Sequence, residues 1–175
     1  MDIKLIYGTD TGNTEVIKEN LVRLLDGAAL EPDNVTVVEV SDLDSDDWTS
    51  HTKYILGIPT WYDGELQSDW EDYFEEFKKI DFTGKTVAVF GLGDQIGYAE
   101  WFCDGVGILA QVVQQNGGKI IGNWPVDGYD FESSKAVMNT LNTFYGLCLD
   151  EDNQQELTQD RLKKWVLQIK KQFML

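Results

Sequence analysis

The sequence predicts an α/β fold in which a parallel β-sheet carries helices on both faces. Short apolar runs alternate with amphipathic helical patterns from end to end, as in strand–helix–strand units joined by right-handed crossovers. One central run, 86–90, is continuously apolar, which is typical of a strand buried on both faces. No internal repeat or Pro/Ser-rich linker interrupts the 175 residues. We therefore expect residues 1–175 to form a single domain.

The predicted strands are short runs rich in β-branched and apolar residues. They cover, in order, 3–7, 35–40, 54–58, 86–90 and 119–124. The third strand is expected to stop at Pro59, because proline donates no hydrogen bond to a ladder. Residues 125–143 are polar and contain glycine, and the strand pattern resumes over 144–149. We therefore predict an insertion that splits the fifth strand.

Helices are indicated between the strands by apolar residues at helical spacing. The first covers 13–26 and the second roughly 67–79. The third carries apolar residues from 106 to 113 and is expected to end at the glycine pair 117–118. The last presents apolar residues from 162 to 173, with lysines towards its C-terminal half, where the helix dipole favours cations.

The chain is strongly acidic, since 14 Lys and Arg against 31 Asp and Glu give a formal net charge of −17. Such a field repels nucleic acid and anionic membranes and attracts basic partner surfaces, although solubility alone would also explain it. No apolar run approaches the ~20 residues of a membrane span, and the N-terminal MDIKLIYG lacks the features of a signal peptide. We expect a cytoplasmic monomer that binds neither nucleic acid nor membrane.

The sequence gives little support for a metal site or for nucleophilic catalysis. The two cysteines, Cys103 and Cys148, lie in apolar patterns without CxxC spacing, so we expect buried free thiols. His51 is the one histidine, which argues against a zinc site and against Ser-His-Asp or Cys-His catalysis. We predict no metal ligands and no catalytic residues.

The first loop, residues 8–14, runs directly into the first helix. Unpaired N–H groups and the positive end of a helix dipole favour a phosphate, and the loop adds threonine hydroxyls. It has no Lys or Arg and no GxxxxGK[ST] pattern, which disfavours triphosphate hydrolysis. An ordinary capped helix is the alternative. The candidate binding residues here are Thr9, Asp10, Thr11, Gly12, Asn13 and Thr14.

The second loop, residues 59–66, and the third loop, residues 91–101, follow the third and fourth strands. Because the C-terminal ends of parallel strands share one edge, all three loops are expected to meet at the topological switch point. Adjacent aromatic residues in the second loop offer a flat surface to a ring, unless the tryptophan only packs the end of the strand. Candidates in the second loop are Pro59, Thr60, Trp61, Tyr62, Asp63 and Gly64.

The third loop resembles GxGxxG but fails it, because its third glycine comes one position late and it follows the fourth strand. A carboxylate, backbone amides and a tyrosine suit the edge of a heteroaromatic ring instead, although a plain glycine-rich connection is the alternative. Its candidates are Leu92, Gly93, Asp94 and Tyr98. Together the three loops predict a site for a mononucleotide with a large flat ring.

These stretches resemble the flavodoxin family, specifically its long-chain bacterial type, over essentially the whole chain. The matching segments are TDTGNTE at 9–15, GIPTWYDGELQSDW at 57–70, DFTGKTVAVFGLGDQIGYAE at 81–100, DGYDFESSKA at 127–136 and GLCLDEDNQ at 146–154. The resemblance implies a flavodoxin-like three-layer sandwich with a five-stranded parallel sheet of order 2-1-3-4-5, in which an insertion splits strand 5. It also implies non-covalently bound FMN.

The resemblance also implies roles for individual residues. Residues 9–14 would hold the phosphate, Trp61 would stack on the inner face of the flavin ring and Tyr98 on its outer face. Asp94 and neighbouring backbone would bond the pyrimidine edge of the ring. Thr60 and Asp152 would lie near the ribityl chain.

Two positions depart from the family pattern. Tyr62-Asp63 occupies a turn whose peptide rearranges on reduction in the family and where Gly or Asn is common. Neither residue adopts positive φ as easily as glycine. Trp101 and Cys103 replace polar residues that some relatives use near Tyr98.

The function implied is that of a low-potential one-electron carrier without substrate turnover. It would shuttle FMN between oxidised, semiquinone and hydroquinone states for basic-surfaced redox proteins, such as a flavodoxin/ferredoxin-NADP reductase and low-potential electron acceptors. Glu65, Asp69, Glu71 and Asp72 are candidates for the docking rim, or else belong to an ordinary solvated helix face.

Three other functions stay open at this point. An FMN-dependent quinone or NAD(P)H reductase would share the fold, and a non-redox FMN-binding module would share the site. A phosphoryl-accepting signalling domain is disfavoured, because Asp10 stands alone between threonines and no lysine follows the fifth strand.

Overall fold

The computed structural model describes residues 2–27 and 35–174 and places their strands in two sheets. The strands are β1 (Ile3–Tyr7), β2 (Val35–Glu39), β3 (Lys53–Trp61), β4 (Glu65–Leu66), β5 (Thr86–Leu92), β6 (Lys119–Ile121), β7 (Trp124–Pro125), β8 (Val137–Met138), β9 (Thr143–Phe144) and β10 (Leu147–Leu149). In the main sheet the parallel order is β2-β1-β3-β5, and both β6 and β10 pair with the far edge of β5. The predicted order, with a divided fifth strand, is confirmed.

Helices cover both faces of this sheet. They are α1 (Asn13–Asp26), α2 (Ser68–Phe77), α3 (Asp104–Gln115) and α4 (Gln155–Phe173). Helices α1 and α4 bury one core against the sheet, in which Leu21 and Trp165 are fully buried. Helices α2 and α3 bury the other core, with Trp70 and Leu109 at its centre. Both cores are formed by the apolar stripes that predicted the helices.

The predicted end of the third strand is wrong, because β3 continues through Pro59 to Trp61. Strand β1 pairs with β3 only as far as Gly57, so the proline lies beyond that ladder. A proline is tolerated where a strand lacks a partner on one side. As a consequence, residues predicted as loop form a short hairpin in which Thr60 pairs with Leu66.

The two halves of the fifth strand are shorter than predicted. Strand β6 ends at Ile121, where Gly122 adopts a φ of +80° and the chain turns away. Trp124 and Phe144 then pair in a small antiparallel sheet of order β7-β9-β8 instead of extending the main sheet. Of the predicted fifth strand, only β6 and β10 remain in the main sheet. The insertion therefore spans residues 122–146, slightly more than the 125–143 predicted.

Both cysteines are buried free thiols, as predicted. Cys103 precedes α3 and Cys148 lies in β10. Burial and the neighbouring Cys148 raise the pKa of the Cys103 thiol, which makes it a poor nucleophile. Across residues 2–27 and 35–174, no helix is long and apolar enough to cross a membrane.

Candidate functional site

The three predicted loops converge at the C-terminal ends of β1, β3 and β5, where they border an open cleft of about 150 Å³. This edge contains the switch point between β1 and β3. Most of the predicted site residues line the cleft, namely Thr9, Asp10, Thr11, Asn13, Thr14, Pro59, Thr60, Trp61, Tyr62, Leu92, Gly93, Asp94, Tyr98 and Asp152. Gly12, Asp63 and Gly64 belong to the same loops but are not among the lining residues.

One lining residue, Glu151, was missed by the sequence analysis. It lies in the turn between β10 and α4, immediately before the predicted Asp152. The sequence could have indicated Glu151, because the turn that contains it follows a strand of the sheet, and β10 pairs in parallel with β5. A loop that follows any parallel strand of this sheet begins at the same edge.

The first loop leaves hydrogen-bond donors unpaired at the start of α1. Gly12 adopts a φ of +85° at the N-cap, and no side chain in the described part of the chain caps the helix. The loop is closed by its own residues, since the Gly12 N–H donates to Thr9 Oγ1 at 3.0 Å. The Thr14 hydroxyl is buried, and no residue in 2–27 or 35–174 forms a hydrogen bond with it. An oxyanion in the cleft would satisfy these donors.

Asp10 lines the cleft, but its carboxylate is held by the start of α2. Its Oδ1 accepts hydrogen bonds from Gln67 Nε2 at 2.9 Å and from Ser68 Oγ at 2.8 Å. Gln67 is fully buried and also caps α2 by accepting from the Trp70 N–H. It packs so closely on Gly8 that a Cβ there would lie 2.0 Å from Gln67 Oε1. Gln67 therefore anchors the first loop, a role that the sequence analysis did not detect.

The second loop presents Trp61 to the cleft. Its ring is partly buried, and its indole N–H is buried without a hydrogen-bond partner among the residues that the structure describes. The Thr60 hydroxyl oxygen is engaged elsewhere, since it accepts from the Gly105 N–H at 3.0 Å. Trp61 therefore offers the cleft an aromatic face, which suits the ring of a nucleotide.

The turn after Trp61 requires left-handed backbone at two positions. Tyr62 has a φ of +39° although it carries a side chain, and Gly64 has a φ of +82°. The Tyr62 side chain is 59% exposed, so no buried packing compensates for its backbone. Gly64 lies against α3, and a Cβ there would be 2.7 Å from Asp104 Oδ2. The turn is therefore strained at Tyr62 and tightly constrained at Gly64.

The third loop is ordered by the carboxylate of Asp94. Its Oδ1 accepts from the Ile96 N–H at 3.0 Å, from the Gly97 N–H at 2.7 Å and from Asn153 Nδ2 at 2.8 Å. Burial alone would raise the pKa of Asp94, but these hydrogen bonds outweigh burial and lower it. One oxygen of this carboxylate is thus used to shape the loop. The same turn presents Tyr98, which is 41% exposed, at the cleft.

The cleft is negative along one edge. Asp94, Glu151 and Asp152 line it together with Asp10, and none of the described lining residues is a lysine or arginine. Burial, together with the charges of Asp94 and Asp150, raises the pKa of Asp152. A phosphate here would be bound by uncharged N–H and O–H donors, since the site provides no cation. Additional negative charge on a ring bound at the other end of the cleft, away from the phosphate, would be disfavoured.

Fold and site together define a doubly wound mononucleotide-binding protein, in which a helix N-terminus faces aromatic side chains across a cleft at the switch point. The sequence model described as Flavodoxin matches residues 5–165. The chain belongs to the flavodoxin family, as the resemblance predicted, and its insertion is consistent with the long-chain type.

Individual relatives agree with this assignment over nearly the whole chain. A flavodoxin of Synechocystis sp. is 50% identical over 168 residues, which cover 96% of this chain and 95% of the relative. Flavodoxin 1 of Escherichia coli is 43% identical and covers 98% of this chain and 94% of its own. The crystal structure of a Fusobacterium nucleatum flavodoxin bound to flavin mononucleotide superposes with a TM-score of 0.89 at 33% identity, covering 98% of both chains.

Proposed function

We propose that this protein is a one-electron carrier that binds FMN non-covalently in the cleft and turns over no substrate of its own. One observation carries the proposal. The unpaired Thr14 hydroxyl and uncapped α1 face the same cleft as the rings of Trp61 and Tyr98, which matches a phosphate at one end and a flat ring at the other. The related Fusobacterium protein binds this cofactor.

Each loop has a separate part in the proposed site. The first loop binds the phosphate, the second and third loops enclose the ring, and the turn after β10 lies beside the linking chain. Gly12, Asp63 and Gly64 do not line the cleft, and we propose that Gly12 and Gly64 contribute through their left-handed backbone and Asp63 through its place in the second loop. The residues assigned to FMN are Thr9, Asp10, Thr11, Gly12, Asn13, Thr14, Pro59, Thr60, Trp61, Tyr62, Asp63, Gly64, Leu92, Gly93, Asp94, Tyr98 and Asp152.

FMN, when bound, supplies the redox chemistry, and the chain sets its energetics. Two aromatic faces exclude water, while Asp94, Glu151 and Asp152 place negative charge at the cleft. Both features oppose any further negative charge on the ring. We therefore propose that the cofactor is held at low potential, so that it donates its last electron readily.

The docking surface that we propose lies beside the second loop. Glu65 and Glu71 are exposed and line a groove together with the apolar side chains of Leu66 and Phe74. The groove adjoins Tyr62 at the rim of the cleft. Asp69 and Asp72 extend the acidic surface along α2. This surface suits basic redox proteins, such as a ferredoxin-NADP reductase and low-potential acceptors, whose electron transfer should slow as salt is added.

The remaining expectations also belong to this proposal. We propose that residues 1–175 act as a single domain, and that the protein works in the cytoplasm as a monomer. The net charge of −17 supports a monomer, because like charges oppose self-association.

An anaerobic visible-spectrum titration of the purified protein with a graded reductant tests the function. A yellow protein that accumulates a long-wavelength, one-electron-reduced species before full reduction would support the carrier. Direct two-electron reduction, together with NADPH consumption by the isolated protein, would indicate a reductase instead. A protein that binds no flavin after FMN is added would contradict the proposal at its basis.

A further inference from the structure

The two cysteines of the chain meet where the start of α3 packs on the sheet. Cys103 immediately precedes α3, and Cys148 is the middle residue of β10. Both side chains are fully buried, in the core that α2 and α3 form against the sheet. The two thiols form a hydrogen bond with each other. The fold therefore brings together two sulfur atoms that the proposed electron carrier does not use.

The direction of Cys148 follows from the register of β10. Strand β10 runs parallel to β5, and Cys148 is paired with Gly91, so that their Cβ directions lie on the same face of the sheet. A Cβ at Gly91 would lie 2.4 Å from Cγ2 of Val106 in α3. The neighbouring Leu147 and Leu149 are buried in the opposite core, with α1 and α4. Alternation along β10 therefore directs the Cys148 thiol to the face that α3 covers.

Cys103 is held at the same place by its backbone and by the end of β5. It has a φ of +55°, in the left-handed region that residues with side chains seldom adopt. A Cβ at Gly93 would lie 2.8 Å from the Cys103 nitrogen and 3.1 Å from Cys103 Sγ. Gly93 also donates its N–H to the Leu149 carbonyl oxygen at 3.0 Å. The segment after β5 thereby ties Cys103 to the residue next to Cys148.

This arrangement combines slow oxidation with an immediate partner for the oxidised sulfur. Burial and the hydrogen bond to Cys148 raise the pKa of the Cys103 thiol, so little thiolate is present at neutral pH and the first step is slow. Once one thiol has become a sulfenic acid, the other is already beside it. Condensation to a disulfide then precedes any further, irreversible oxidation.

We propose that Cys103 and Cys148 are a site of reversible oxidative modification, at which hydrogen peroxide produces an intramolecular disulfide. A thiolate sulfur first attacks one peroxide oxygen. The O–O bond breaks, a sulfenic acid forms, and the leaving hydroxide takes up the thiol proton as water. The second sulfur then attacks the sulfenic sulfur, so that the S–S bond forms, the S–O bond breaks and a second water leaves. The two sulfur atoms lose two electrons, which the peroxide gains, and a dithiol reductant reverses the change.

The first test counts thiols in the purified wild-type protein after treatment with hydrogen peroxide. Catalase removes the peroxide, the protein is unfolded in urea with an alkylating reagent, and its intact mass gives the number of alkylated cysteines. We expect both cysteines to lose reactivity together, so that a species with a single alkylated cysteine does not accumulate. After proteolysis, the peptides that contain Cys103 and Cys148 should be recovered as a linked pair. Dithiothreitol should restore both thiols.

Cys103→Ala and Cys148→Ala are the matched controls, because each leaves one buried thiol without its partner. Peroxide should convert the remaining thiol slowly to a sulfinic or sulfonic acid, which dithiothreitol does not reduce. The reversible fraction of the oxidation should therefore be lost in both variants. The wild-type measurement requires neither variant, so it carries the test if one of them does not fold.

Urea denaturation of the linked and the reduced wild-type protein shows whether the native fold accommodates the bond. A disulfide between residues 103 and 148 would restrict the unfolded chain. We expect the midpoint of unfolding to rise by about 1 M urea, from the usual stabilisation by a disulfide and the usual urea dependence for a small protein. An unchanged or lower midpoint would contradict the proposed native pair.

Three chemical outcomes would also overturn the proposal: independent oxidation of the two cysteines, a disulfide that joins two chains, or a linked product that forms only in unfolded protein. The proposal goes beyond the proposed function and assumes no bound cofactor. A wild-type protein that binds no FMN would overturn the proposed function and leave the cysteine pair unaffected, whereas failure of the disulfide would leave FMN binding intact.

Discussion

The first and third loops both line the cleft, but they are held in place by different parts of the chain. In the first loop, Thr9 bonds to Gly12 three residues away, and Asp10 is anchored by the adjoining start of α2. In the third loop, Asp94 accepts from its own loop, and Asp94 and Gln95 also take partners from the insertion and from the turn after β10. Both loops therefore depend on segments remote in sequence, but on different ones: the first on the start of α2, and the third on the insertion and the turn after β10.

This difference implies different responses to mutation. The first loop should be damaged by changes within itself or in Gln67. The third loop should respond instead to changes in the insertion, whose described residues do not line the cleft. The following predictions separate the two responses, from the largest expected effect to the smallest.

Gly107→Ala should have the largest effect and should act through the insertion. A Cβ at this α3 position would lie 2.1 Å from the Lys135 carbonyl oxygen, which is backbone and cannot move aside cheaply. We expect the free energy of unfolding of the apoprotein to fall by about 2 kcal/mol in urea denaturation, because overpacking in a filled site costs about that much. Hydrogen exchange of the Ser133 amide should accelerate while that of Gly12 stays unchanged.

Gly105→Ala in the same helix is the matched control. Its Cβ would approach Ile58 and Thr60 side-chain atoms at 3.1–3.2 Å, and these can adjust. The unfolding free energy should change by less than about 1 kcal/mol. Equal losses in the two variants would contradict the support attributed to the insertion.

Gln67→Met should act on the first loop alone. It removes the donor to Asp10 and the cap of α2, and we expect a loss of about 1.5 kcal/mol in apoprotein stability, as for hydrogen bonds to charged groups. The amides of Ile96 and Gly97, which Asp94 protects, should keep their exchange rates. Faster exchange at those two amides would show that the loops are coupled and would remove the distinction between them.

Tyr62 extends the comparison to the second loop, where strain is stored in the backbone. Tyr62→Gly and Tyr62→Ala both remove the ring, but only glycine relieves the φ of +39°. Glycine should therefore give the apoprotein about 1 kcal/mol more stability than alanine in urea denaturation. An alanine variant as stable as the glycine variant would show that the turn is unstrained.

The smallest effects should be the pH dependences of two carboxylates at the cleft. The lowered pKa of Asp94 means that its charge stabilises the fold above the unfolded pKa, and that this stability is lost as pH falls through the folded value. The raised pKa of Asp152 has the opposite sign, so its charge is a cost at neutral pH. Asp94→Asn should lower stability at about pH 7 and Asp152→Asn should raise it slightly.

The difference in stability between each variant and the wild type should disappear in acid, because the wild-type carboxyl groups are then protonated and uncharged, like the Asn side chains. Denaturation in urea between about pH 3 and pH 7 measures this. The same sign for both variants at neutral pH would contradict the opposite environments assigned to the two carboxylates.

The sheet order and the convergence of the three loops could be predicted because they follow from periodicity and chain direction. Strand ends were less predictable, since they depend on neighbours. Pro59 stays in β3 because β1 ends beside Gly57, and Trp124 leaves the main sheet because Gly122 turns the chain. The apolar spacing that predicted the strands encodes neither event.

The site could also be predicted only where its residues are placed by chain direction, and not where they are placed by contacts with other segments. Trp61 ends β3 and Tyr98 follows β5, so both were found by position. Gln67, Gln95 and Asp150 are instead buried polar residues, and their importance lies in contacts with segments remote in sequence. A polar residue next to a loop gives no sign that it will be buried. Glu151 alone had a usable signal, because it precedes a residue already assigned to the cleft.

The most direct test is a calorimetric titration of the wild-type, Thr14→Val and Tyr98→Ala apoproteins with FMN and with riboflavin, which lacks the phosphate. We predict that Thr14→Val weakens only FMN binding, by about tenfold, because the buried, unpaired Thr14 hydroxyl lies at the end of the cleft that we propose for the phosphate. Tyr98→Ala should weaken the binding of both ligands by a similar factor, about fivefold, because FMN and riboflavin share the ring that Tyr98 would contact. Equal losses of FMN and riboflavin in Thr14→Val, or none in Tyr98→Ala, would contradict the division of the cleft into a phosphate end and a ring end.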